Sequence, residues 1–93
     1  MDMKKMMKQA QRMQAELAKA QDEIKDMEFE ATAGGGMVKV VATGDMAVKS
    51  IAIDPEAVDP EDVEMLEDLV LAAVNEALRG VSDISAQRLN AAT

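Results

Sequence analysis

Four basic side chains near the start of the chain are the strongest candidates for a chemical role. Lys4, Lys5, Lys8 and Arg12 are opposed within the first 15 residues by Asp2 alone. If this stretch is an α-helix, positions 4, 8 and 12 lie along one flank. Cations near a helix N-terminus oppose the helix dipole, so this cluster reduces the stability of the helix. From charge alone, a solvated flank of a coiled coil is the preferred interpretation, and an anionic partner such as a phosphate backbone is the alternative.

A second cluster is acidic. Residues 54–68 include no cation and eight carboxylates, which are Asp54, Glu56, Asp59, Glu61, Asp62, Glu64, Glu67 and Asp68. Such groups could hold magnesium or calcium, and a remote interpretation is a metal-dependent hydrolase using Asp54, Glu56 and Asp59. The ligand spacing of a calcium-binding loop is absent, however, and Asp59 before Pro60 is explained as a helix cap.

The composition excludes several kinds of enzyme. The chain has no Cys and no His, which removes thiol nucleophiles, zinc–thiolate sites and imidazole catalysis. The three glycines at 34–36 lack the spacing of a phosphate-binding loop. We therefore expect no enzyme, no cofactor, no metal and no small-molecule substrate.

A long N-terminal helix must carry the basic cluster. Apolar residues repeat every seven positions in two rows, which are Met3, Ala10, Leu17, Ile24 and Met6, Met13, Ala20, Met27. These rows are the a and d positions of a heptad, and they predict a helix over about 3–27. Its length of ~37 Å exceeds the ~32 Å diameter of a compact chain of this size. The helix therefore needs a partner helix, from the same chain or from a second copy.

Strands are predicted over about 28–33, 36–43 and 46–54. Met27, Phe29 and Ala31 alternate with polar residues, and β-branched side chains fill the two later segments. The triple glycine predicts a hairpin turn, and a second turn is expected at 43–45. The apolar phase slips between Val48 and Ile51, which predicts either a bulge or a change in which face of the strand is covered.

A second long helix is predicted over about 60–90, with Asp59 as its N-cap and Pro60 at its first position. Its apolar stripe continues beyond Gly80, so we expect the helix to continue as well. The whole chain, 1–93, is expected to be one α+β domain with the order α-β-β-β-α, a three-stranded antiparallel meander flanked by two long helices. One aromatic residue and nine Met make a modest core, which favours an oligomer.

Targeting signals are not evident. The N-terminus is too charged for a signal peptide, and no apolar run approaches ~18 residues. The expected location is the cytoplasm, without a membrane partner.

Several segments together resemble the YbaB/EbfC family of bacterial nucleoid-associated DNA-binding proteins. They are MKKMMKQAQRMQAELAKAQDEI, GGGMVKV with Gly44 after it, VKSIAIDPE and DPEDVEMLEDLVLAAVNEAL. The resemblance implies a nucleoid-associated homodimer with tweezer-like helical arms that binds duplex DNA. It implies DNA contacts on the helices, at Lys4, Lys5, Lys8 and Arg12, with Arg79 and Arg88 as weaker candidates. The alternative is a dimeric helical scaffold whose Met-rich stripe binds another protein and not DNA.

Overall fold

The structure is a computed structural model that describes residues 2–92, and side chains through residue 91. Its elements are α1 (Met3–Lys25), β1 (Glu28–Ala33), β2 (Val38–Thr43), β3 (Val48–Ile53), a short 3₁₀ helix (Pro55–Ala57) and α2 (Val63–Ala92). The predicted order α-β-β-β-α is confirmed.

The three strands form an antiparallel sheet in the order β1-β2-β3. Ala33 pairs with Val38 across the first hairpin, and the three glycines between them have φ of 63°, 68° and 92°. Three successive residues with positive φ favour glycine, which has no Cβ to strain this backbone, so the predicted glycine turn is confirmed. The predicted bulge is confirmed too, because Val41 pairs with Ser50 while Ala42 pairs with Val48, leaving one extra residue in β3.

Helix α2 lies across β1 and β2 and hardly touches β3. Val38, Val40 and Ala42 of β2 are fully buried beneath Ala73, Ala77 and Val81 of α2. The largest fully buried side chains are valines, so the core of a single chain is thin. A thin core agrees with the modest one that the composition predicts.

Gly80 lies in the middle of α2, and the helix continues through it as predicted. A Cβ at this position would overlap the ring of Phe29 on β1. The glycine therefore provides a notch for the chain's single aromatic ring, which packs against the core.

Two predicted helix boundaries are wrong by a few residues. Helix α1 ends at Lys25 and not near 27, because the next residues turn into the sheet and Gly44 donates a hydrogen bond to the Met27 carbonyl at 2.9 Å. Helix α2 begins at Val63 and not near 60, because Asp59 caps a separate turn through the Glu61 N–H. The carboxylate of Asp62 accepts from the Met65 N–H at 3.2 Å, so Asp62 is the actual cap.

Two predicted strand starts are also early by two residues. Gly36 and Met37 belong to the first hairpin turn, so β2 begins at Val38. Met46 has φ of 63°, which is a turn conformation, so β3 begins at Val48 and not near 46.

The molecule is a rod of 73 × 16 × 15 Å. Its radius of gyration is 19.5 Å, whereas a compact chain of this length would have ~12 Å. Helices α1 and α2 run antiparallel where they overlap, since Arg88 pairs with Glu23 while Ala91 lies near Glu16. Most of residues 3–19, called the arm below, extends past the end of α2.

Neither helix, over the part of the chain that the structure describes, is long and apolar enough to cross a membrane.

Candidate nucleic-acid interface

The arm is a helix with solvent on all sides. Asp2 caps it by accepting a hydrogen bond from the Lys4 N–H at 3.0 Å. Every residue from 3 to 19 is exposed, whereas Ala20 and Ile24 farther along α1 are buried. The base of α1 is fixed where the β2–β3 turn packs closely on it, since a Cβ at Gly44 would overlap the Ile24 carbonyl. The arm therefore projects from a firmly packed base.

The basic side chains share one side of this helix. Lys4, Lys8 and Arg12 follow each other at one-turn spacing, and Lys5 lies beside them. Lys19 continues the same side, and the sequence analysis missed it. The sequence does indicate Lys19, because Lys5, Arg12 and Lys19 recur at seven-residue spacing. The structure thus gathers five cations along ~22 Å of helix.

Ion pairs distinguish these cations from four of the other five basic residues. The exception is Lys39 on β2, which makes no ion pair within the described residues. Four basic residues pair with carboxylates: Lys25 with Asp22, Lys49 with Glu28, Arg79 with Glu76, and Arg88 with Glu23. Within residues 2–92, no carboxylate lies within ion-pair distance of Lys4, Lys5, Lys8, Arg12 or Lys19. Even Glu16, four residues after Arg12, makes no ion pair with it. The arm presents a positive face that the described chain does not neutralise.

The two weaker candidates lie apart from this face. The hydrogen bond with Glu76 raises the pKa of Arg79 and lowers the pKa of Glu76. Arg88 reaches across to α1, where its Nε and Nη2 lie 2.9 and 2.6 Å from one Glu23 oxygen. Both arginines are thus engaged within the chain, and Arg88 joins the two helices at the base of the arm.

Three carboxylates of the acidic cluster cap backbone N–H groups. Asp54 accepts from the Glu56 N–H at 2.9 Å and caps the 3₁₀ helix, just as Asp59 and Asp62 cap the segments after it. Among the residues that the structure describes, no group of three acidic side chains is arranged to hold a metal ion. The cluster also lies at the start of α2, the end that points away from the arm.

An apolar groove of about 460 Å³ lies between β3 and α2. Val48, Ile51 and Ile53 share the face of the sheet that carries the buried β2 residues, yet they are 39–47% exposed because α2 does not cover β3. Leu66, Val70, Leu71 and Val74 of α2 line the opposite side of the groove together with Ile53. The apolar face of one strand out of three is therefore open in a single chain.

Known proteins are similar to this chain in both sequence and fold. The model of the YbaB/EbfC DNA-binding family matches residues 1–93. A nucleoid-associated protein of Pelotomaculum thermopropionicum is 53% identical over 92 residues, which are 99% of this chain and 88% of that protein. One from Clostridium novyi is 47% identical over 93 residues, covering 100% of this chain and 82% of that protein.

The fold has a crystallographic counterpart. The structure of an uncharacterized protein, HP0035, from Helicobacter pylori superposes with a TM-score of 0.74 at 24% sequence identity. The match covers 94% of this chain and 91% of that chain. The family resemblance predicted from the sequence is confirmed, and it assigns the chain to DNA-binding proteins and not to an enzyme class. The chain belongs to the YbaB/EbfC DNA-binding family.

Proposed function

We propose that the protein is a nucleoid-associated homodimer whose arms bind duplex DNA through its phosphates. The observation that carries this proposal is the positive face of the arm, where Lys4, Lys5, Lys8, Arg12 and Lys19 project without carboxylate partners in the described chain. The names of the Pelotomaculum and Clostridium relatives support a role on the nucleoid. Arg79 and Arg88 are left out of the proposed interface because each is held by a carboxylate.

Contacts between basic side chains and phosphates depend on charge and not on the base sequence. Lys and Arg side chains on phosphates fix the position of a protein on a duplex but carry no base information. The arm has no aromatic residue on which unpaired bases could stack, which favours duplex over single-stranded DNA. The acidic cluster at the start of α2 repels DNA there and restricts contact to the arms.

The dimer would close the apolar face that α2 leaves open. The accessible surface is 6836 Å², compared with about 5,200 Å² for a compact chain of 10.0 kDa. The excess exceeds the ~800 Å² that each partner buries in a typical interface, although the slender arm accounts for part of it. Val48, Ile51 and Ile53 beside the groove are the apolar side chains that a second copy would cover.

Salt dependence of duplex binding tests the proposal. If the four N-terminal cations of both subunits meet phosphates, log K falls with log[salt] at a slope of about −7, because each of the eight contacts contributes about −0.9. The variant Lys4→Gln, Lys5→Gln, Lys8→Gln, Arg12→Gln should lose most of this slope and most of the affinity for random-sequence duplex at low salt.

A charge-matched control uses four cations outside the proposed interface. Changing Lys25, Lys39, Lys49 and Arg79 to Gln removes the same net charge but should preserve the slope. The proposal is wrong if the arm variant binds duplex as tightly as the control. A wild-type protein with no salt-dependent retention on duplex would support the helical scaffold that binds another protein.

A further inference from the structure

The apolar stripe that packs α1 against α2 does not stop where α2 stops. Ala20 and Ile24 belong to this stripe and are buried beside the end of α2. Farther toward the N-terminus, Met13, Met6 and Met3 continue the same rows but are 48–72% exposed. One helix-packing seam is thus filled in its last turns and open along the arm.

The period of the seam is that of a coiled coil. With Met3 at position a, the open part consists of Met3, Met6, Ala10, Met13 and Leu17, all at a or d, and it is called the arm seam below. An exact seven-residue period keeps these side chains facing a partner helix along the arm. The natural occupant of such a seam is another helix with the same repeat.

The charged residues of the arm are placed so that they do not repel the arm of a second copy of the chain. Lys5 and Arg12 lie at c, Lys4 at b and Lys8 at f, which are the outward positions of a coiled coil. The positions that flank the seam are e and g, and they hold Met7, Gln9, Gln14 and Glu16. No cation therefore stands beside the seam, where it would repel the same cation of a second helix.

We propose that the arm seam docks against the arm seam of a second copy of this chain, forming a short coiled coil. This contact is separate from the β3 face and adds a second association surface to the proposed DNA-binding function on which it rests. The f positions of two paired helices point away from each other, so the positive faces would lie on opposite sides of the pair. A pair of arms could then hold two duplexes, one on each side, and so bridge them.

The pairing should be weak in free solution. The arm seam spans only about two heptads, and Met and Ala pack less specifically than the β-branched and Leu residues of stable coiled coils. Binding to DNA would supply a high local concentration of arms, which strengthens weak contacts without new interactions. Pairing is therefore expected mainly when duplex is present.

Disulfide trapping tests this directly, because the chain has no native cysteine. Ala10→Cys places a thiol in the middle of the arm seam, and Ala15→Cys places one at an outward f position of the same helix. With duplex DNA and oxidised glutathione, Ala10→Cys should form disulfide-linked pairs at least five times faster than Ala15→Cys. Equal rates, or no pairs from Ala10→Cys with duplex, would overturn the proposal.

A second variant distinguishes this contact from DNA binding itself. Adding Met13→Glu to Ala10→Cys puts a carboxylate in the seam and should abolish trapping and the co-capture of a second, labelled duplex. The affinity for a single duplex should fall only slightly, by the amount expected from adding one negative charge to each arm. Trapping that persists in this variant contradicts the seam, whereas a wild-type protein that binds no duplex contradicts the proposed function instead.

Discussion

Arg12 and Arg88 carry the same charge but occupy different electrostatic environments. Arg12 lies on the arm with no carboxylate in ion-pair range among the described residues, while Arg88 donates twice to one oxygen of Glu23. A phosphate that approached Arg88 would have to displace a partner already in place. At the scale of single residues, Arg88 is engaged within the chain, whereas Arg12 is available to an external anion.

This difference yields a prediction for two matched variants. Arg12→Gln should reduce the steepness of the salt dependence by about 2 per dimer, with little change in stability. Arg88→Gln should leave the salt dependence unchanged and cost about 0.5 kcal/mol of stability, the usual value for a partly exposed ion pair. Filter binding over a salt series and urea unfolding measure the two effects. An unchanged slope for Arg12→Gln would remove Arg12 from the interface.

The sequence is enough to place the arm cations on one side of a helix. It does not show which arginines are already held by carboxylates within the chain. Positions 4, 8 and 12 share a helix flank by spacing alone, and Lys19 follows from the same seven-residue repeat. The partner of Arg88 lies 65 positions earlier in the chain, and no local pattern reports it. Similarly, Asp59 and Asp62 both suit a helix cap, and only the backbone bonds show that the helix starts after Asp62.

Strand β3 determines how the sheet meets its surroundings. It is an edge strand, and all six of its residues are exposed. The sequence predicted its bulge from the slip in apolar phase, because a one-residue insertion changes which side chains share a face. It could not predict that α2 leaves this strand uncovered, since that depends on where a helix 30 residues long crosses the sheet.

Neighbouring residues of β3 offer a matched test of the dimer. Ile51 lies on the face next to the groove, whereas Ser50 pairs with Val41 on the opposite face. Ile51→Asp should yield a folded monomer, because the side chain is already 47% exposed in one chain, whereas in the proposed dimer the carboxylate would be buried without a partner. Ser50→Asp should remain dimeric. Sedimentation equilibrium gives the masses, and circular dichroism checks the fold.

The same pair of variants links assembly to binding. A monomer brings four N-terminal cations to the duplex and not eight, so the salt slope of Ile51→Asp should be about half that of the wild type. If Ile51→Asp stays dimeric, the dimer contact does not use this face of β3.

Across the whole molecule, opposite charges are held far apart. The arm and the acidic cluster point in opposite directions along a rod 73 Å long. The net charge of −8 therefore describes neither end, and a duplex would meet a positive or a negative surface depending on its approach. Screening by salt limits the electrostatic interactions of each end to about one Debye length, which is ~30 Å in 10 mM salt and ~8 Å in 150 mM salt.

These ranges give the acidic cluster a role that depends on salt. Neutralising exposed carboxylates that cap no backbone group, with Glu61→Gln, Glu64→Gln and Asp68→Asn, should raise duplex affinity severalfold in 10 mM salt, where repulsion reaches along the rod. It should have almost no effect in 150 mM salt, where that repulsion is screened before it reaches DNA on the arm. Glu16→Gln is the control, because Glu16 lies one helical turn from Arg12 and its removal should raise affinity in both buffers. An equal gain for the triple variant in both buffers would mean that bound DNA lies beside the acidic cluster, contrary to contact through the arms.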